Sequence, residues 1–542
     1  MAPTKEARVD ESSATPNMND PNLSADEIQL RAQGHSGELI RQFSPLATLA
    51  LAFSITNSWV GYAATFVTPL FAGGGPAIFW APIIACIACL LITLGLAELA
   101  SAFPSSGGQY HFAFMVSPPK YRAAIAFVTG WLSAFAWLFT TASANLFCAS
   151  LCINLATLRN PEYVPTQWQT WLIYTAFIII CSLIVVYLPR AIPRLETFFF
   201  WTSLLGFLVN TIVLLAVSPT KQPATTVFKT WSNATGWDDG VAMLLAIGQS
   251  MYGFLCTDSA THIAEEVERP SRAVPRAMWL TIAVGIVTTI PFTLAILFST
   301  QDFETLSLSP LPIMELYVQA FSGNSSAALF FTFWILFIYF GATIGLVLTS
   351  SRLLWAFARD NGLPYSGVFA KVHPARKVPQ NATILTAVFC ILYGLIYIGS
   401  TTAFNSFVAT AILSLNITYT IPQFIVLVRG RDKVLPKREF DLGKGLGMFC
   451  NVFSTAWVAL YSVLFCFPVF LPVTEVTMNY VSVVMAGTGL FIVLLWWVPG
   501  GKRGRFVGPR VGEVVDLAGL GRANAGEVDG EGGVGGGEKV TS

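Results

Sequence analysis

The sequence of this 542-residue chain predicts an all-α integral membrane protein of about twelve transmembrane helices. Three observations predict it. Apolar residues make up 54% of the chain and charged residues only 11%, against about 25% charged in soluble domains, so no water-soluble fold could hide the surplus. Apolar runs of spanning length recur along most of the sequence; crossing a core of about 30 Å takes roughly 20 residues at a rise of about 1.5 Å each. Finally, Lys and Arg alternate between successive loops as an even number of crossings requires.

The spanning runs fall near 46–70, 77–100, 123–157, 168–188, 197–217, 240–262, 277–299, 327–357, 382–399, 402–428, 446–471 and 478–498. The third and eighth exceed the needed length, so they tilt or project beyond the bilayer. Residues 1–42 are polar without an apolar stretch and read as a disordered cytoplasmic tail, not a cleaved signal. The membrane domain is then 43–499, followed by a Gly-rich, flexible cytoplasmic tail at 500–542. With both termini cytoplasmic, the inner loops and adjoining helix ends hold eighteen Lys and Arg, while the outer loops hold only Arg159, Lys221 and Lys229. The sequons at Asn233 and Asn324 fall outside, where glycosylation occurs, and that at Asn381 falls inside.

Several function classes are excluded. Net charge is +1, so nucleic acid is not an implied partner. All nine cysteines lie in apolar segments, which argues against an exposed disulfide framework. Cys86 and Cys89 form a CxxC without a second ligand pair, so no metal is expected. No phosphate-cradling GxxxxGK[ST] and no HExxH occurs, and the four histidines are scattered. An ATP-driven pump and a membrane metalloenzyme are therefore poor readings, no enzymatic activity is expected, and no cofactor is implied.

Two of the spanning runs are interrupted. Thr56-Asn57-Ser58-Trp59-Val60-Gly61 breaks the first, and Gly248 to Gly253 followed by Thr257-Asp258-Ser259 breaks the sixth. Small and hydroxyl residues also serve close helix packing, and either segment alone would read that way. The pair lies five helices apart, however, and paired broken helices form the midplane substrate site of many transporters built from inverted repeats. Half-helix ends there present partial charges to a polar substrate. The candidate substrate-binding residues are Asn57, Ser58, Trp59, Gly61, Tyr62, Tyr252, Gly253 and Phe254. Aromatic faces attract desolvated cations by about 2 kcal/mol, although at 13% aromatic most rings in this chain must pack. Asp258 is the candidate proton-coupling residue, since a carboxylate inside a span costs about 2.5–3.5 kcal/mol and is functional by default. The bland alternative hydrates it near the cytoplasmic mouth or pairs it with His262. Glu98, near the inner end of the second helix, reads as a gating or structural residue bridged to a loop Arg or Lys.

The residues also carry a family resemblance. Gly95-Leu-Ala-Glu-Leu-Ala-Ser-Ala-Phe-Pro-Ser-Ser-Gly-Gly-Gln-Tyr110 is similar to the second-helix and first-loop signature of the amino acid–polyamine–organocation superfamily. Asp258 to Pro275 resembles its sixth-helix and following-loop signature, and Ala358 to Pro364 the motif ending its eighth helix. Thr56-Asn57-Ser58-Trp59 and Ser117-Pro-Pro-Lys-Tyr121 look most like the fungal amino acid/choline transporter family, which includes choline and γ-aminobutyrate permeases. The resemblance implies two inverted five-helix repeats, helices 1–5 and 6–10, plus two C-terminal helices. It also implies secondary active, usually proton-coupled, transport of a small nitrogen compound by alternating access. Tyr252 falls where relatives place a gating or substrate-facing aromatic, and Asp258 where some have an acidic proton-sensing residue. The break reads Ser-Trp-Val-Gly where many members are glycine-rich, which departs from their carboxylate-binding geometry. Glu265, Glu266, Glu268, Arg269, Arg272 and Arg276 form either a solvated face or a cytoplasmic gate. The expected partners are an amino acid, choline or related amine, a coupling proton and the lipid bilayer of the plasma membrane or an internal one. The alternatives are a permease for a specialised amino-acid-derived metabolite and a nutrient sensor with a transporter fold and little flux.

Overall fold

In lipid each apolar run must satisfy its own backbone, which leaves the helix as the available form for a chain without barrel-like alternation. The computed structural model describes Leu30 and residues 37–475, 477–497 and 506–509, and its compact body runs from Glu38 to Gly508. Among the described residues ten helices are long and apolar enough to span, and Val481–Trp497 is a shorter apolar helix. The first predicted span is absent from those ten because it is interrupted. Its two pieces are α1 (Pro45–Thr56) and α2 (Ser58–Ala63). With them, the twelve predicted crossings are accounted for.

The chain continues through α3 (Val67–Ala102), α4 (Gln109–Val116), α5 (Arg122–Arg159), α6 (Gln167–Tyr187) and α7 (Ile192–Val217). The sixth span is α8 (Asp239–Ser250), a 3-10 turn at Met251–Phe254 and the short α9 (Ser259–His262). Then follow α10 (Pro270–Ser299), α11 (Pro312–Ala320), α12 (Ser325–Arg359), α13 (Gln380–Gly399), α14 (Thr401–Arg429), α15 (Gly443–Leu464) and α16 (Val481–Trp497).

The first two predicted spans are joined differently from expectation. The end of the first and the whole second run together as α3, with a kink at Gly73 and Gly74, the latter at φ 64°. A Cβ on Gly73 would lie 2.5 Å from the Trp231 ring, and one on Gly75 2.4 Å from the Thr226 carbonyl oxygen. The glycines thus admit the 224–235 loop against the helix. The body also extends past 43–499. Gln42 and Phe43 both donate backbone hydrogen bonds to the Glu266 carbonyl, at 2.9 and 3.0 Å, and Phe506 packs edge-on against Phe127 and Phe357. The rest of the predicted tails lies outside the described residues. Both ends of the body therefore lie on one face, termed here the N-terminal face.

Candidate functional site

Asn57 interrupts the first span in the left-handed conformation (φ 34°, ψ 59°), which Asn tolerates better than most residues. The sixth span breaks at Leu255, which is extended, and at Cys256, which has φ 65°. A non-glycine residue held there is strained and survives only where its surroundings fix it. The surroundings are the other break. Thr56 Oγ1 donates 2.9 Å to the Leu255 carbonyl, giving a partner to backbone that no helix satisfies. Just beyond, Gly61 and Gly253 let the chains touch: a Cβ on Gly61 would be 3.4 Å from Gly253 Cα, and one on Gly253 3.2 Å from the Ser58 carbonyl oxygen. The structure therefore brings the two predicted breaks together.

It turns their side chains in different directions. Tyr252 points toward α5 and α12, with its hydroxyl 3.1 Å from Ser143 Oγ and 3.4 Å from the Tyr339 hydroxyl. Phe147 meets the Tyr339 ring edge-on at 5.0 Å. Trp59 points toward α7 and α10: fully buried, it donates 3.0 Å to Ser203 Oγ and meets Phe292 edge-on at 4.9 Å. Ser203 in turn donates to Asn57 Oδ1 at 3.0 Å, so Trp59 braces the first break from behind. The Tyr62 hydroxyl donates 2.5 Å to the Ile78 carbonyl. Ser58 and Phe254 both lie against Gly285 of α10.

Asp258, at the start of α9, is fully buried and fully engaged. Its Oδ2 accepts from Gln109 Nε2 (2.6 Å) and Trp137 Nε1 (3.0 Å), and Oδ1 accepts from the Tyr419 hydroxyl (2.5 Å). His262 Nε2 lies 3.0 Å from Oδ2, while His262 Nδ1 lies 3.1 Å from the Ser106 carbonyl. His262 thus lies between the Asp258 carboxyl and the Ser106 main-chain carbonyl, joining the sixth-span break to the loop before α4.

Ion pairs hold the N-terminal face together. Arg359 of α12 grips Glu265 with two bonds of 2.8 Å, and Arg352 Nε donates 2.6 Å to Glu266. Both carboxylates are buried, and Gln42 Nε2 adds a 3.2 Å bond to Glu266. Burial pushes the nearby half-exposed Glu38 carboxyl up, against the pull of Arg359. Glu98 is buried in α3 and bound by Arg431 and Arg438, each at 2.6 Å, as the sequence expectation of a loop partner has it. On the opposite face, a cavity of about 570 Å³ runs down between α8, α14 and α15 and reaches Gly248 and Gln249, one turn from Tyr252. None of the predicted substrate residues lines it. Among the described residues no group of His, Cys, Asp and Glu could hold a metal.

Sequence reasoning missed Gln109, Trp137 and Tyr419 around Asp258, and Arg352 and Arg359 opposite the acidic loop. Gln109 and Arg359 sit in the quoted signatures, which was the available signal; Trp137 and Tyr419 had none. The two sequon asparagines lie at the face opposite the N-terminal one. Asn324 is exposed and caps α12, and the Asn233 amide donates to the Trp237 carbonyl at 2.8 Å.

Comparison with known proteins agrees with the architecture. The family model described as amino acid permease matches residues 43–491. The chain is 36% identical over 468 residues to the choline transporter of Saccharomyces cerevisiae, covering 86% of this chain and 82% of that one. It is 30% identical over 459 residues to the swainsonine transporter of Arthroderma benhamiae, covering 84% and 91%. It is 28% identical over 510 residues to the 7-keto 8-aminopelargonic acid transporter of Saccharomyces cerevisiae, covering 82% and 90%.

Proposed function

This chain belongs to the amino acid permease family of the amino acid–polyamine–organocation superfamily and is a multi-pass membrane transporter; from that premise we propose that it carries a small cationic nitrogen compound, choline or a related amine, driven by protons through alternating access. The observation that carries the reading is the meeting of two broken spans beside an aromatic cluster and a buried acid. Tyr252, with Tyr339 and Phe147 around it, presents ring faces to an ammonium group, a contact worth about 1–2 kcal/mol. The non-helical backbone at Asn57 and at Leu255–Cys256 supplies dipoles for its polar end, with Ser58, Gly61, Gly253 and Phe254 on the helical turns beside it. Trp59 and Tyr62 fix the shape of the first break through Ser203 and Ile78.

The Asp258–His262 pair is the site proposed for the coupling proton. Its neighbours come from four elements: Gln109 on α4, Trp137 on α5, Tyr419 on α14 and the α9 turn itself. Movement of the sixth-span break against α5 and α14 would loosen them, so proton occupancy and conformation bias one another. In the state described, the ion pairs of Glu265 and Glu266 close the N-terminal face and the cavity opens at the other. The Lys and Arg excess on the N-terminal face makes that side cytosolic, with Asn233 and Asn324 glycosylated outside. Glu98, tied to the α14–α15 loop, steadies the cytosolic gate. The proposed location is the plasma membrane.

Counterflow in proteoliposomes tests this reading. Vesicles loaded with unlabelled choline should take up radiolabelled choline, and γ-aminobutyrate and α-amino acids should compete poorly. Binding without exchange would make the protein a sensor, and exchange restricted to α-amino acids would overturn the cationic substrate.

A further inference from the structure

Two arginines stand at the start of α7, away from the site described above. Arg190 and Arg194 lie four positions apart, and both are exposed on the N-terminal face. They form the shared wall of two cavities. One, of about 560 Å³, lies between the start of α1 and the start of α7, with Gln42, Ser44 and Thr197 in its wall. The other, of about 450 Å³, lies between the α6–α7 turn and the loop before α13, where Arg376 completes it. Arg376 is held there by stacking on the Tyr187 ring at 4.4 Å and by a 3.2 Å bond from Nη1 to Gln380 Oε1.

No acidic side chain lines either cavity. Among the described residues, Arg190 and Arg194 have no hydrogen-bond or ion-pair partner through their side chains. Glu196, the nearest acid along the chain, is fully buried and lines neither cavity. Elsewhere on this face Arg352, Arg359, Arg431 and Arg438 are each paired with a carboxylate. Three cations around concave, acid-free space concentrate a positive field that selects an anion.

The surface beyond the arginines says which anion. Arg194 heads a row on α7 formed by Phe198, Trp201, Leu205, Leu208 and Ile212, spaced three and four residues apart and therefore on one helix face. The five apolar side chains are 51–57% exposed, on a helix long and apolar enough to span, so this row faces lipid. A soluble phosphate would use only the charges. A phospholipid uses both parts, its headgroup among the arginines and its acyl chains along the row. A zwitterionic headgroup brings an ammonium for which these cavities hold no carboxylate, so a net negative headgroup is favoured.

We propose that Arg190, Arg194 and Arg376 form a binding site for the headgroup of an anionic phospholipid in the leaflet at the N-terminal face, with its acyl chains against the lipid-facing row of α7. Guanidinium forks suit this role, because they meet phosphate oxygens with two parallel hydrogen bonds.

Native mass spectrometry of the full-length protein in detergent tests the site, with dioleoyl phosphatidylserine, phosphatidylinositol and phosphatidylcholine titrated separately. Wild type should bind the two anionic lipids more tightly than phosphatidylcholine, and raising the salt should shrink that preference. Arg190→Gln combined with Arg194→Gln should weaken anionic-lipid binding about 30-fold, the sum of two basic contacts at a charged surface. It should leave phosphatidylcholine binding unchanged. Arg190→Lys combined with Arg194→Lys keeps the charge and should recover most of the loss. Arg272→Gln combined with Arg276→Gln removes two exposed arginines that line neither cavity and should bind as wild type. Glycerol 3-phosphate, a phosphate without acyl chains, should displace little bound lipid even in large excess. No preference for anionic lipid in wild type, or equal losses in the two Gln pairs, would overturn the proposal. Full displacement by glycerol 3-phosphate would overturn it too, by assigning the cavities to a soluble phosphate.

Discussion

Replacing Glu265 with Gln should unlock the N-terminal face, and the size of the effect follows from the geometry. Glu265 is 1% exposed and Arg359 12%, joined by two parallel bonds of 2.8 Å. Gln keeps the shape but takes away the paired carboxylate, leaving the guanidinium only the more distant Asp360 and Glu38. Removing one partner of a buried pair costs about 3–5 kcal/mol. The lower end applies, because Arg359 retains some solvent and its stacking on Trp355 at 4.5 Å. In the open state water reaches both groups and the loss disappears. The cost of about 3 kcal/mol therefore falls on the closed state alone and lowers the closed-to-open ratio roughly 150-fold. A cysteine introduced at Ser105, which is buried beneath the same loop, reports opening through its labelling by an impermeant maleimide. With opening fast relative to labelling, the rate should rise toward that factor until the open state dominates. Peptide mapping separates it from the native cysteines, all buried or half-buried. A rise of less than about threefold would put the pair in the range of exposed surface bridges and refute the gate.

Three further outcomes are expected. Asp258→Asn removes the carboxyl that faces His262 at 3.0 Å, so the pH dependence of uptake should flatten while counterflow persists; an unchanged profile would make the pair structural. Tyr252→Leu should weaken choline binding about 5–30-fold, the equivalent of a 1–2 kcal/mol contact. Trp59→Leu should instead lower thermal stability by about 1–3 kcal/mol through Ser203 and Phe292, with a smaller effect on affinity; the reverse ranking would return Trp59 to the substrate. Tags at 233 and 324 should report the non-cytosolic side and tags at 381 and 433 the cytosol, and reversal of any one would break the orientation.

What the sequence determined by itself is the solvent, the crossings and the places where helix fails. Composition and loop charge are sums over many residues, so no single contact can reverse them, and an apolar run of spanning length has one way to satisfy its backbone in lipid. The polar interruptions at Asn57 and around Asp258 were legible for the same reason: each is a local departure from a long regular pattern. Which residue carries the break was less so. The sixth span bends at Cys256, not at the glycines of 248–253, because Thr56, 199 positions away, bonds the Leu255 carbonyl and holds the turn. Gly253 serves the close approach to the first span instead. Side-chain direction was decided only in three dimensions. Trp59 and Tyr252 look alike in the sequence as aromatics at breaks, yet Ser203 and Phe292 claim one and Ser143 and Tyr339 the other. The same holds for the acids. Asp258 and Glu196 both carry buried carboxyl groups, and their difference lies in donors supplied by distant helices: three for Asp258, and none for the carboxyl oxygens of Glu196. Charge in a low-dielectric interior is governed by those few neighbours, and a linear sequence does not say who they are.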